Sequence, residues 1–544
     1  MQRRSAINRA PGEAVLSATA IVLPTALIAL CIVLPGIIVV RDIVSGLAST
    51  DGLASALETV ALDAGRRSAL LSSLASAAVI AIAATLLALP VAWVCRSWPA
   101  HRLPLLALPA ALPTYLAYAA LSRLRGPDTA IGAWAARADN PDLPQVLRLV
   151  TAVMGLTLWA WPLAAAITVL GFRAVHTTTT DALRLDGARP LRRIATAIVI
   201  ARWPIVAALL AVFAVMLGSA VPLHVAQTKT YAAEVWLELD QNAASERWRA
   251  WLASWPLLAV AIVGSLAIAK PLAGVMQRAT PDDSSLRSSP TRSWMPWLAA
   301  AAVWCVSIVL PAAGLATSIR SESVISAVAS ALPEFSRELV SSAVLAAVVG
   351  LVAGVLCLAT WRAAASGVRG AWVARAWLVL LVFGALTPGV LVGDAIASTS
   401  SLAFRDSHAW TVLAHIARFG ALAAAVGLWL AASEPRDLAR MRAVDGATGP
   451  RGFLSSVTGA HLGAMLAVAV IVAMLSLHEI EAAVRLQPPG SRSLSRTMLG
   501  LLHFARDDDL ARLTLAIVLG SGLLAAAVTV AASLGRSPNR SGNR

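Results

Sequence analysis

The chain has 544 residues, of which 58% are hydrophobic and 13% charged, and its formal net charge at pH 7 is +15. This polar fraction is too small to cover a soluble globular protein of that length, so the composition excludes the class and indicates a membrane protein. The positive charge is distributed among loops and is not accompanied by an aromatic and basic surface, which argues against nucleic acid as a partner.

Apolar runs long enough to cross a bilayer recur along the whole chain. A span needs about 20 apolar residues, and helices satisfy their own backbone hydrogen bonds in lipid. The sequence therefore predicts an all-α polytopic membrane protein, surrounded by membrane lipid, with about twelve transmembrane helices. The predicted spans are 17–40, 68–94, 103–122, 148–171, 195–220, 251–270, 293–316, 338–361, 371–393, 408–432, 459–477 and 511–533.

The orientation follows from the basic loops. When the amino terminus is placed inside and twelve spans are threaded, most Arg and Lys residues fall on one side, and the positive-inside rule makes that side cytoplasmic. Both termini are then cytoplasmic. The basic segments on this side are 96–102, 173–202, 270–292, 362–375, 436–451 and 536–544.

The chain repeats itself. "LLSSLASAAVIA" (70–81) resembles "LVSSAVLAAVVG" (339–350), and "AVMLGS" (214–219) resembles "VAMLSL" (472–477). An even number of spans gives two such copies the same orientation in the membrane, with a natural pathway at their interface. The sequence predicts a first half at 1–276, a polar cytoplasmic linker at 277–294 and a second half at 295–544, each with about six helices.

A polar loop, 177–194, lies between the fourth and fifth spans. It contains "DALRLDGARPLRR" (181–193), in which Asp181 favours a helix start, Gly187 a left-handed helix end and Pro190 the start of another helix. The loop 433–453 repeats this design in the second half, with Gly446 and Pro450 in the same roles. The pattern predicts a helix, a glycine turn and a second helix that project into the cytoplasm. A well-capped surface loop is the simpler alternative.

These loops resemble the signature of the permease subunits of binding-protein-dependent ATP-binding-cassette importers (type I, MetI-like). The signature reads Glu-Ala-Ala, three residues and Gly. Here Asp181 replaces the Glu, and Ala182 and Gly187 match. The second copy is degenerate, because only "DGA" (445–447) and Phe453 fit. The resemblance identifies these ATPase-coupling residues: Asp181, Ala182, Asp186, Gly187, Ala188, Pro190, Asp445, Gly446, Ala447 and Phe453.

Two further segments are similar to the fused permeases for ferric iron, "LPLLALPAALPTYLAYAAL" (103–121) and the run 477–515 that begins "LHEIE". The resemblance implies two MetI-like halves in one chain of a bacterial inner membrane. It also implies two copies of a separate ATPase subunit and a periplasmic solute-binding protein as partners, with ferric iron as the expected solute. Thiamine, organophosphonate and polyamine permeases share this layout, so these solutes stay open.

The chain carries no phosphate-binding loop of its own. Such a loop needs G-x-x-x-x-G-K-[ST], and the two lysines, Lys229 and Lys270, lie outside any such motif. The sequence therefore predicts a transport subunit rather than an enzyme. We expect it to bind no cofactor or metal, and ATP to be used by the partner subunits.

Several residues are candidates for the pathway. His415 and Arg418 lie one turn apart on the tenth span, where they face the bundle interior unless the arginine reaches the membrane surface. "LHEIE" lacks the second histidine of a metal motif and is expected to be an outer helix end. Asp394, near a predicted span end, is expected to be exposed, and "RDDD" (506–509) to begin a helix. The segment expected at the outer gate is Pro488, Pro489 and Gly490.

Two other functions remain alternatives. An ion-coupled secondary transporter would be favoured by several carboxylates within the membrane, and the predicted spans contain almost none. A membrane-embedded enzyme would be favoured by clustered acidic or histidine residues at one membrane face.

Overall fold

The computed structural model describes residues 11–49, 51–126, 129–138, 140–173, 179, 182–183, 185–241, 246–278, 294–320, 323–399, 406–434 and 450–534. These residues form helices and contain no strand. The α-helices are α1 Pro11–Ile28, α2 Leu34–Leu47, α3 Gly52–Val60, α4 Ala64–Cys95, α5 Leu103–Ala107, α6 Thr114–Ser122, α7 Ala130–Arg137, α8 Leu143–Arg173, α9 Pro190–Ile200, α10 Arg202–Leu217, α11 Val221–Val225, α12 Tyr231–Gln241, α13 Arg247–Ala253, α14 Trp255–Arg278, α15 Met295–Ala316, α16 Val324–Glu334, α17 Ser336–Ala365, α18 Val368–Leu386, α19 Gly389–Thr399, α20 His408–Ser433, α21 Pro450–Leu477, α22 Leu494–His503 and α23 Asp507–Leu534.

Local sequence signals explain several helix starts. The carboxylate of Asp63 accepts a hydrogen bond from the backbone N–H of Arg66 at 2.7 Å, which caps α4. Ser407 caps α20 in the same way. Asp507 begins α23, and two further aspartates follow it in the first turn, so the prediction that "RDDD" begins a helix is confirmed.

The described residues include nine helices long and apolar enough to cross a membrane, or eleven if each of two bent pairs counts as one span. The fold is therefore that of a polytopic helical membrane protein. The count of twelve stays a prediction. The predicted span 459–477 lies within α21, Pro450–Leu477, and the ninth predicted span divides into α18 and the short α19.

Two predicted spans are bent. The segments Leu103–Ala111 and Thr114–Arg125 meet at 61°, and Arg192–Ile200 and Arg202–Leu217 meet at 68°. Pro113 explains the first break, because proline disfavours helix in the residue before it. Ala201 lies at the second break. Breaks of this kind expose backbone groups, which are tolerated at membrane depth only inside the protein.

The helices of the two predicted halves interleave. Helices α4, α8 and α10 pack together, as do α17, α20 and α21. The first helix α1, however, packs on α17 and α18, and α15 packs on α4 and α6. Each predicted half therefore packs its first long helix against helices of the other half. Nothing in the structure tests the proposed boundaries at 276 and 295.

Glycines allow the closest helix contacts. A Cβ on Gly314 of α15 would lie 2.3 Å from the carbonyl oxygen of Ala120 in α6. A Cβ on Gly427 of α20 would lie 2.5 Å from the carbonyl oxygen of Cys357 in α17. Without a strong hydrophobic drive between helices in lipid, close backbone approach at small residues supplies much of the packing energy.

Candidate functional site

The first polar loop has the predicted turn. The backbone N–H of Ala188 donates to the carbonyl oxygen of Leu183 at 2.9 Å, and Gly187 has a φ of +68°. This bond and this angle are those of a helix C-terminus closed by a left-handed glycine. Pro190 then begins α9, as expected. Asp181 lies outside the described residues, so its predicted role as helix start stays untested.

The turn presents an apolar side chain to its surroundings. Leu185, one residue before the acidic Asp186, is 88% exposed. A Cβ on Gly187 would meet no atom within 4 Å, so the glycine is required by its conformation and not by crowding. The loop is therefore a fixed turn that carries an uncovered leucine.

The second polar loop falls on residues that the structure does not describe. Asp445, Gly446 and Ala447 lie outside the described residues, and Pro450 begins α21. Phe453 is part of that helix, but the position of its side chain is also outside the description. The coupling role predicted for this loop stays a prediction.

Breaks from the two halves meet inside the bundle. A Cβ on Gly218, at the end of α10, would lie 3.2 Å from the Cα of Pro388, which separates α18 from α19. A Cβ on Gly389 would lie 2.7 Å from the Cβ of Glu481. Irregular backbone from residues 217–221, 386–389 and 478–482 therefore converges on one place.

A group of buried and partly buried ionisable residues occupies this place, and we name it the central cluster: His415, Arg418, His478, Glu479 and Glu481. Among the predicted pathway residues, His415 is 1% exposed, and its Nδ1 lies 2.6 Å from the Oγ of Ser476. One guanidinium nitrogen of Arg418 donates to the carbonyl oxygen of Thr387 at 2.7 Å. Both candidates therefore face the bundle interior.

Sequence reasoning missed the acidic part of the cluster. Glu479 lies 3.9 Å from the Nε of Arg418, and the buried Glu481 accepts hydrogen bonds from the other half. The helix α21 ends at Leu477, so "LHEIE" lies at a helix end as expected, and its place on the outer side stays a prediction. His478 is nevertheless buried, with its Nε2 3.0 Å from the carbonyl oxygen of Ala110. Two glutamates and a histidine within four residues are the signal that pointed here.

Asp394 corrects an expectation. The sequence predicts that Asp394 is exposed, whereas the structure buries it fully. The indole N–H of Trp251 donates to its Oδ2 at 2.9 Å, and the guanidinium of Arg485 lies 3.2 Å from its Oδ1. The partners come from positions far apart in the sequence, so spacing along the chain could not reveal them. Here too, a carboxylate of the second half contacts the first half.

The segment Pro488, Pro489 and Gly490 forms a turn, as the sequence predicts. Gly490 has a φ of +74°, and Pro489 and Gly490 are exposed. The hydrogen bonds that we describe for the central cluster go to Ser476, Thr387, Ala110 and Ala220, and not to this turn. Its predicted place in the pathway stays a prediction.

The arrangement brings charged groups of distant segments together in the interior. Within the described ranges, no group of three or more His, Cys, Asp and Glu side chains is placed to hold a metal ion. No protein-family model, no curated protein and no solved structure matches this chain. The function is therefore inferred from the loop and from the central cluster.

Proposed function

We propose that this chain is the membrane-spanning permease of an ATP-driven importer, with both polar loops as contacts for separate ATPase subunits. The observation that carries the proposal is the turn at Gly187 with the exposed Leu185 beside it. An uncovered leucine on a fixed loop of the basic side is suited to a groove on a partner protein. The resemblance of the same residues to the permease signature supports this assignment.

The remaining features extend the proposal. Two loops imply two ATPase copies, and a solute-binding protein would deliver solute, for which ferric iron is our candidate, to the opposite side of a bacterial inner membrane. The interleaved helices and the convergent breaks supply a place where two halves rock against each other. The basic loops keep both termini cytoplasmic in this proposal.

The experiment is affinity purification of the tagged chain from its native host in mild detergent, followed by identification of co-purifying proteins. Leu185→Glu removes the apolar contact at an exposed site without disturbing the core. Val368→Glu is the matched control, because Val368 is 77% exposed and begins α18 on the same predicted side. We expect an ATPase with the wild type and with the control, and its loss with Leu185→Glu.

An ATPase retained by Leu185→Glu would refute the role of this loop. Absence of any ATPase from all three samples would refute the importer and favour an ion-coupled transporter. That second candidate has one observation in its favour, because the buried carboxylates Asp394 and Glu481 are of the kind that proton-coupled transporters use.

A further inference from the structure

A single carboxylate oxygen connects the two predicted halves. Oε1 of Glu481 accepts hydrogen bonds from the backbone N–H groups of Ala220 at 2.9 Å and Val221 at 3.1 Å, and from the Oγ–H of Ser219 at 3.3 Å. All three donors follow α10 in the first half, whereas Glu481 follows α21 in the second. Separation of the halves at this point would break all three bonds together.

The other oxygen of this carboxyl group is isolated. Glu481 is 7% exposed, and its Oε2 has no hydrogen-bond partner among the described residues. An ionised carboxylate with a bare, buried oxygen carries a large desolvation cost, whereas a neutral carboxyl group carries far less. The enclosed geometry therefore favours a proton on this group.

The charges that face Glu481 do not balance. The guanidinium of Arg418 is the one cation of the cluster, and it lies beside Glu479. Two ionised glutamates would leave one negative charge uncompensated. Burial, and then the charge of Glu479, raise the pKa of Glu481, although Arg418 and the backbone donors lower it. The titratable and charged groups around it are Glu479 and His478 on its own segment, His415 and Arg418 on α20, and Tyr115 on α6, which faces Glu479.

We propose that Glu481 is a proton-binding gate residue, whose neutral carboxyl group closes the contact between the halves and whose deprotonation favours opening. The inference rests on the proposed transport function, since a transporter needs this contact to open. The ligand is a proton rather than a metal ion, because no described group of side chains is placed to hold a metal.

The direction of the pH dependence follows from linkage. In the closed form, burial holds the pKa of Glu481 above the ordinary value of about 4.3 that a solvated glutamate in an open form would have. Proton binding then stabilises the closed form at pH values below the ordinary pKa. This stabilisation is lost as the pH rises through the higher, closed-form pKa. Higher pH therefore opens the gate.

The test measures how fast a buried cysteine in the gate reacts with a charged thiol reagent. Ala220→Cys is the reporter, because Ala220 is fully buried beside Glu481. The full-length chain carries Cys305→Ser, which removes the exposed native cysteine, and is placed in lipid nanodiscs so that both faces meet the reagent. Phe504→Cys, at a site that is 75% exposed, corrects for the reagent's own pH dependence.

We expect the corrected labelling rate to be severalfold higher at about pH 8 than at about pH 4, because the lower pH lies below the ordinary glutamate pKa of about 4.3, where the proton stabilises the closed form. Glu481→Gln mimics the neutral group and should label slowly at both pH values. Glu481→Ala leaves two N–H groups without an acceptor and should label fast at both. Glu58→Gln, an exposed carboxylate on α3, is the matched control and should behave like the wild type.

A pH ratio near one in the wild type, or an unchanged ratio in Glu481→Gln, would overturn the inference. Ala482→Cys, fully buried on the other side of the contact, repeats the measurement if Ala220→Cys does not fold. The labelling needs no ATPase. A chain that gates with pH but co-purifies no ATPase would keep this inference and refute the importer.

Discussion

The crossing of α15 over α6 offers a direct test of the interleaved arrangement. Gly314→Ala places a Cβ 2.3 Å from the carbonyl oxygen of Ala120, whereas ordinary contact begins near 3.4 Å. The obstacle is backbone, so α15 must move away by about 1 Å. Overpacking of this kind costs about 1–3 kcal/mol, offset by about 0.5–1 kcal/mol from replacing glycine inside a helix. We expect a net loss of about 1–2 kcal/mol.

Thermal unfolding in detergent measures this loss. A thiol-reactive dye reports unfolding, because Cys31, Cys95 and Cys357 are buried and become reactive when the helices separate. Gly520→Ala is the matched control, since no atom lies within 4 Å of its added Cβ and only the helix propensity improves. The control should keep or raise the Tm, and Gly314→Ala should lower it. Equal Tm values for the two variants would refute the packing of α15 on α6.

Three further outcomes follow from the same structure. Asp394→Ala should lower stability by about 3–5 kcal/mol in the same assay, because it leaves the guanidinium of Arg485 without its buried partner; a loss below about 1 kcal/mol would contradict this. Burial raises the pKa of Glu238 in the folded chain despite its ion pair with Arg66. The proton on Glu238 therefore stabilises the folded state below the ordinary glutamate pKa, and this stabilisation is lost as pH rises through the raised pKa. The Tm difference between wild type and Glu238→Gln, measured against pH, should therefore change across that range, and a constant difference would oppose the assignment. Leu185→Glu should leave the Tm unchanged, because the side chain is 88% exposed, and a large fall would mean that the leucine is packed.

The local features of the first polar loop could be read from the sequence. Glycine is the residue that adopts a positive φ without strain, and proline suits the first helical turn, so Gly187 and Pro190 predicted the turn that the structure contains. The basic residues around the loop likewise predicted its side of the membrane, which stays a prediction. The exposure of Leu185 depends on what packs nearby, and the sequence did not indicate it.

The central cluster shows where sequence reasoning fails. The sequence does not indicate that Glu481 is buried, because the groups that donate hydrogen bonds to its carboxylate lie 260 to 262 residues away in the chain. Asp394 was expected to be exposed because no opposite charge lies close to it along the chain, yet Arg485 and Trp251 reach it through the fold. Contacts between distant segments decide whether a carboxylate near a span end is solvated or buried.

The sequence by itself determined the class of this protein and its local turns. Long apolar runs must form helices in lipid, because no water satisfies their backbone there, and glycine and proline mark where those helices stop. The tertiary structure decided how the helices cross, where the breaks at Gly218 and Pro388 meet, and which charges are enclosed near them. The physical reason is that helix crossing and burial are set by close packing between segments hundreds of residues apart, which local periodicity does not encode.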